Sequence, residues 1–137
     1  MLRTVFCLCV AMTSMAPVTP LHAQEGHPLV GSWHGDWGPA ESLDRKDLTV
    51  IMDWDGTSVT GLVNPVTDRA GLENARLDSS DWTVHFEVDL RSESGGTIRC
   101  VADGRLDRLG SDRRTLEGTW VCGDLRAAFR LTRDRDY

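Results

Sequence analysis

The side chains of this chain best suited to chemistry or recognition are its four cysteines, four histidines and five tryptophans. Cys7 and Cys9 sit in an apolar N-terminal run, whereas Cys100 and Cys122 stand apart from any C-x-x-C or histidine pair that would complete a zinc site. A disulfide between the second two is their simplest use. His34 alternates with Asp36, and His85 with Glu87 and Asp89. Such ladders can touch a metal, but alternating polar residues are also what the solvent face of a strand demands, and no metal site is assigned from them. The chain has no G-x-S-x-G elbow, phosphate-gripping glycine loop or H-E-x-x-H helix. No catalytic residue and no cofactor are therefore assigned. Binding through aromatic side chains is what remains, and it depends on the elements that carry the tryptophans.

The N-terminus is excluded from that scaffold. Arg3, the apolar run Val5–Met12 and Leu21-His22-Ala23 read as the basic, apolar and cleavage regions of a secretory signal peptide over residues 1–23. The run is too short to span a bilayer, Pro17 and Pro20 interrupt the residues after it, and no cysteine stands at the cut to take a lipid. An exported protein, periplasmic or extracellular, is expected, with residues 24–137 as a single domain and no integral membrane segment after cleavage. Export also favours the disulfide. With 15 basic against 21 acidic residues and Lys46 as the only lysine, no basic stripe is available for phosphates, and nucleic acid is not an expected partner.

Residues 24–137 alternate with period two and show no helical period. In Trp82-Thr83-Val84-His85-Phe86-Glu87-Val88-Asp89-Leu90 every even position is apolar and every odd one polar, as a strand with one buried face requires. Leu48, Val50, Met52 and Trp54 repeat the pattern. Further strands are expected at Gly31–Trp37, Ser58–Asn64, Ala75–Leu77, Thr97–Leu106, Leu116–Cys122 and Leu125–Thr132. Asp55-Gly56, Gly95-Gly96, Gly110-Ser111-Asp112 and Gly123-Asp124 mark the turns, their glycines able to take a positive φ. Eight strands joined by hairpins predict an all-β, antiparallel up-and-down barrel, with a β-sandwich as the alternative.

A turn centred on Ser111 would set Cys100 opposite Cys122, Ala102 opposite Trp120, Gly104 opposite Gly118 and Leu106 opposite Leu116, all on one face. By the same parity all five tryptophans, Trp33, Trp37, Trp54, Trp82 and Trp120, point inward. Rings of this size can fill a small barrel or line a cavity for one ligand. Gly35, Ala102, Gly104 and Gly118 can accommodate indoles or leave that cavity, and both outcomes stay open.

Gly31-Ser32-Trp33, a G-x-W on the first strand of an eight-stranded meander, resembles the lipocalin and wider calycin superfamily. The resemblance implies that Trp33 closes one end of the barrel and that Arg133, on the parity of Leu131 and Phe129, packs over it. The chain has neither the second lipocalin motif nor the C-terminal helix, so the resemblance implies architecture and not a ligand. The longer string from Gly31-Ser32-Trp33-His34-Gly35-Asp36-Trp37-Gly38 through Trp54-Asp55-Gly56 and Val59-Thr60-Gly61 to Leu116-Glu117-Gly118-Thr119-Trp120 is similar to small exported bacterial proteins without an established activity. Three functions arise as expectations. The first is a barrel binding a small apolar or aromatic molecule through Trp33, Trp37, Trp54 and Trp120. The second is a protein-interaction or inhibitor module presenting loops such as Gly38–Lys46 or Pro65–Glu73 from a filled barrel. An enzyme of unknown reaction is the third. Interior volume discriminates the first two.

Overall fold

The computed structural model describes residues 26–64 and 66–134; the expected signal peptide and Pro65 lie outside them. Eight antiparallel strands form one closed sheet: β1 (Gly31–Gly38), β2 (Lys46–Trp54), β3 (Val59–Val63), β4 (Ala70–Asp78), β5 (Thr83–Arg91), β6 (Thr97–Asp107), β7 (Arg113–Cys122) and β8 (Leu125–Asp134). Each pairs with its chain neighbour and β8 returns to β1, so the barrel is up-and-down and no helix occurs among the described residues. Closure is the physical answer to two edge strands that would otherwise expose a row of unpaired backbone groups.

The ladder between β6 and β7 has the register expected from the turn at Ser111: Cys100↔Cys122, Ala102↔Trp120, Gly104↔Gly118 and Leu106↔Leu116. The Cys100 and Cys122 sulfurs stand 2.05 Å apart, as a disulfide. In this turn the positive φ falls on Arg108 at 61° and not on Gly110. The Arg108 carbonyl accepts from both the amide and the hydroxyl of Ser111, which holds that conformation without a glycine. Gly56, Gly95 and Gly123 do take positive φ in their hairpins.

β4 differs most from its sequence pattern. It runs nine residues from Ala70, far beyond the expected Ala75–Leu77. Its inward residues change parity, from Leu72, opposite Val88, to Leu77, opposite Val84. Between Glu73 and Arg76 the strand carries one residue more than β5, and Asn74 sits at φ 49°. This is a β-bulge, which adds a residue on one strand, bends it and interrupts simple alternation.

Inside, Trp33 and Trp120 are fully buried. Trp120, Phe86 and Phe129 meet edge to face at 6.0–6.2 Å between ring centroids, and Trp37 lies tilted on Trp120 at 6.0 Å. Such pairs each add about 0.5–1.5 kcal/mol beyond burial. The small residues opposite them admit close strand approach. A Cβ at Gly104 would lie 2.6 Å from the Glu117 carbonyl and 2.9 Å from the Phe129 ring, and one at Gly118 would run into the backbone of Asp103 and Gly104. The Phe129 ring thus covers the Gly104–Gly118 pair from within.

Candidate functional site

The strands carry the expected ligand-binding tryptophans to different places. Trp37 pairs with Lys46 at the start of β2, whereas Trp54 ends that strand, so these two stand at opposite ends of the barrel. At the Trp37 end the ring lies under the Lys46 ammonium, 5.4 Å from its centroid, and against Trp120. The Trp120 indole N–H is buried with no acceptor among the described residues.

The Trp54 end is closed by the chain before β1. His27 to Val30 form a turn, with the Val30 amide donating to the His27 carbonyl. Leu29 is buried, its carbonyl accepts from the Trp33 indole N–H at 2.8 Å, and Arg114 donates to the Pro28 carbonyl at 3.0 Å. The side chain of Arg133 lies against Gly31, two residues before Trp33, where any Cβ would collide with it. Trp33 and Arg133 therefore both belong to this end. The expectation of five inward tryptophans needs correction at two positions. Trp54 is 38% exposed, because its strand ends there and His27 takes its ring. Trp82 precedes β5 at φ 60° and only partly enters the core.

A seam in the barrel wall opens beside Trp54. β3 pairs along its whole length with β2, but with β4 only at Leu62↔Gly71 and Val63↔Ala70. The backbone from Val59 to Gly61 has no ladder partner on β4, which the bulge at Asn74 bends. A cleft of about 220 Å³ fills this gap. Its apolar lining is Val59, Ala75 and Leu77, its aromatic wall His27 and Trp54, and its polar rim Thr57, Ser58 and Arg76. The two rings of the wall stack at 4.4 Å and 15°. Burial lowers the His27 pKa below the ordinary histidine value, which favours the neutral ring in the stack.

The rim is built on a fixed turn. The Asp55 carboxylate accepts the amides of Thr57 and Ser58 at 2.8 and 2.7 Å, with the Ser58 and then the Thr57 bond holding its pKa low. The Asp53 carboxylate accepts the Trp54 amide. The two hairpin carboxylates are thereby engaged with backbone, while Arg76 has no ion-pair partner among the described residues.

Two larger clefts, of about 610 and 540 Å³, lie on the outer face around Glu117. Volume alone would favour them. Much of their polar lining is already paired: His85 with Asp103 at 2.6 Å, Arg45 with Asp36, and Arg130 with Glu117 at 3.0 Å. Neither offers an exposed aromatic. The polar ladder on β5 is likewise occupied, since Arg99 binds Glu73, Glu87 and Asp89 together. Hydrogen bonds from Asn74, then His85 and Arg99, hold the Glu87 pKa low. Among the described residues no group of three or more His, Cys, Asp or Glu is arranged to hold a metal ion.

Of the expected site residues the fold brings together Trp37 with Trp120, places Trp33 and Arg133 at the same end, and separates Trp54 from Trp37. His27, Val59, Ala75, Arg76 and Leu77 were not expected at a site. The only sequence signal for them is the failure of alternation between Ala70 and Leu77. No protein-family model and no curated protein matches the chain.

Proposed function

We propose that this protein binds a small apolar or aromatic molecule, in the seam between β3 and β4 and not inside the barrel. The observation that carries this is the partly exposed Trp54 ring, stacked on His27 and forming one wall of a cleft that also offers Val59, Ala75 and Leu77. The buried interior supports it too, since Trp120, Phe86 and Phe129 pack edge to face there. The seam has room for roughly seven waters by liquid volume, which suits one ring and its substituents and not a drug-sized ligand. At about 0.5 kcal/mol per non-hydrogen atom, ten atoms give about 5 kcal/mol and a Kd of about 0.2 mM. The leader-like residues 1–23 and the Cys100–Cys122 pair support an exported, periplasmic or extracellular carrier, and the closed meander with Trp33 and Arg133 at one end supports kinship with the lipocalin/calycin barrels.

The test is calorimetric titration with p-cresol, a neutral ring of suitable size. The reading expects sub-millimolar to millimolar binding that weakens tenfold or more in Trp54→Ala. Binding that survives this substitution overturns it, as does no binding at about 10 mM.

A second reading, a protein-interaction module, is favoured by one observation. Leu43, Val66 and Leu125 are exposed at three connections at the Trp37 end, Leu43 and Val66 almost completely. Apolar side chains grouped at one end of a packed scaffold suit a protein partner. Replacing all three by aspartate should leave p-cresol binding intact and abolish any specific protein complex.

A further inference from the structure

Resting on the seam as a ring-binding site, we infer that its ligand carries a carboxylate and that Arg76 is the residue that selects it. Arg76 is exposed on β4, at the bulged register where it faces His85 of β5, and it lines both the seam and the larger outer cleft. Arg45 is held by Asp36, Arg99 by three carboxylates and Arg130 by Glu117, whereas Arg69, Arg91 and Arg126 are exposed but line none of these clefts; Arg76 is set apart by its place at the seam. Arg76 has no carboxylate partner among the described residues.

Acids of the neighbouring turns and strands accept other donors. Asp53 accepts the Trp54 amide, and Asp55 accepts those of Thr57 and Ser58. Asp78, two residues along β4, accepts the amide and hydroxyl of Ser80. His85 is bound between Asp103 and Glu87. A guanidinium with no carboxylate partner among the described residues therefore sits at the rim of a cleft of mixed lining, with His27 and Trp54 aromatic, Val59, Ala75 and Leu77 apolar, and Thr57 and Ser58 polar. A guanidinium is a planar fork that fits a carboxylate with two parallel hydrogen bonds. A ring resting against Trp54 and Val59 with its carboxylate toward Arg76 satisfies every part of this lining, and the Thr57 and Ser58 hydroxyls can meet polar ring substituents.

Two sources share this chemistry, an aromatic carboxylic acid and a uronic-acid sugar. The experiment compares p-toluate, its uncharged counterpart p-cresol, and galacturonate on the full domain and on Arg76→Gln. The variant replaces an exposed side chain, and an unchanged amide spectrum would show that it folds. The inference expects a carboxylate probe to bind at least fivefold tighter than p-cresol, and Arg76→Gln to abolish that advantage by weakening the carboxylate probe at least fivefold more than it weakens p-cresol. If p-toluate is the tighter carboxylate the source is aromatic; if galacturonate, it is a sugar; both support the role of Arg76. Equal affinity for p-toluate and p-cresol in the wild type, with galacturonate no tighter, overturns the inference and leaves the seam as a neutral-ring site. A carboxylate preference that persists in Arg76→Gln overturns it equally. Failure of all three probes overturns the seam reading itself, and the inference with it.

Discussion

Gly118→Ala tests the close approach of β6 and β7 more sharply than any larger substitution. A Cβ there would meet the Asp103 carbonyl and the Gly104 Cα, both backbone atoms and both well inside contact distance. No rotamer change can relieve this, so β6 and β7 must move apart at the place where Phe129 covers them. Overpacking of a well-filled interior costs about 1–3 kcal/mol, and a backbone clash belongs at the upper end. For a domain near 100 residues each 1 kcal/mol shifts Tm by about 4–8 °C, so a loss of roughly 12 °C or more is expected. Gly71→Ala is the internal control. Nothing lies within 4 Å of its built Cβ, and its φ is not positive. Reducing the freedom of the unfolded chain there should stabilise by about 0.4–1 kcal/mol. Thermal melts and urea midpoints at constant m-value would measure both. If the alanine variant melts with the wild type, the close approach of β6 and β7 at Gly118 is refuted.

The Cys100–Cys122 bridge closes a loop with a sequence separation of 22, for which chain entropy predicts about 3 kcal/mol of stabilisation; paired Cys→Ser variants whose urea midpoint equals that of the wild type would contradict this. Trp33→Phe deprives the Leu29 carbonyl of its indole donor, whereas Trp120→Phe removes a donor that has no partner, so the first should cost about 1–2 kcal/mol more than the second; an equal loss would refute the difference. His27 has a folded pKa below its unfolded value near 6.5, so the unfolded chain binds more protons and the contribution of this group is lost as pH falls through 6.5 toward the folded pKa. An NMR titration of the His27 ring should give a midpoint below 6.5 that rises in Trp54→Ala, and a midpoint at or above 6.5 in the wild type would count against the stack.

Architecture was legible in this chain because alternation is a local signal. Val84, Phe86 and Val88 declare a buried face by themselves, and two cysteines flanking a Gly-Ser-Asp turn suffice to set the register of β6 against β7. The seam was not legible for the same reason. At Asn74 a single extra residue reverses parity, and a reading by period two keeps only Ala75–Leu77 of a nine-residue strand. Parity also says which face a side chain takes but not whether the strand continues past it. Trp54 has inward parity, yet it ends β2, and its partner His27 precedes the whole barrel in sequence. The partnerless state of Arg76 is longer-ranged still, since it depends on where the carboxylates of Asp53, Asp55 and Asp78 find their donors.

The central claim, that a small ring binds in the wall of the barrel and not within it, is tested most directly by the five tryptophan indole N–H signals during titration with p-cresol. The account predicts that Trp54 shifts saturably while Trp33, already bonded to Leu29, and Trp120 stay fixed. A shift of Trp120 without Trp54 would mean that an acceptor has reached the unpaired donor inside the barrel, and would contradict it.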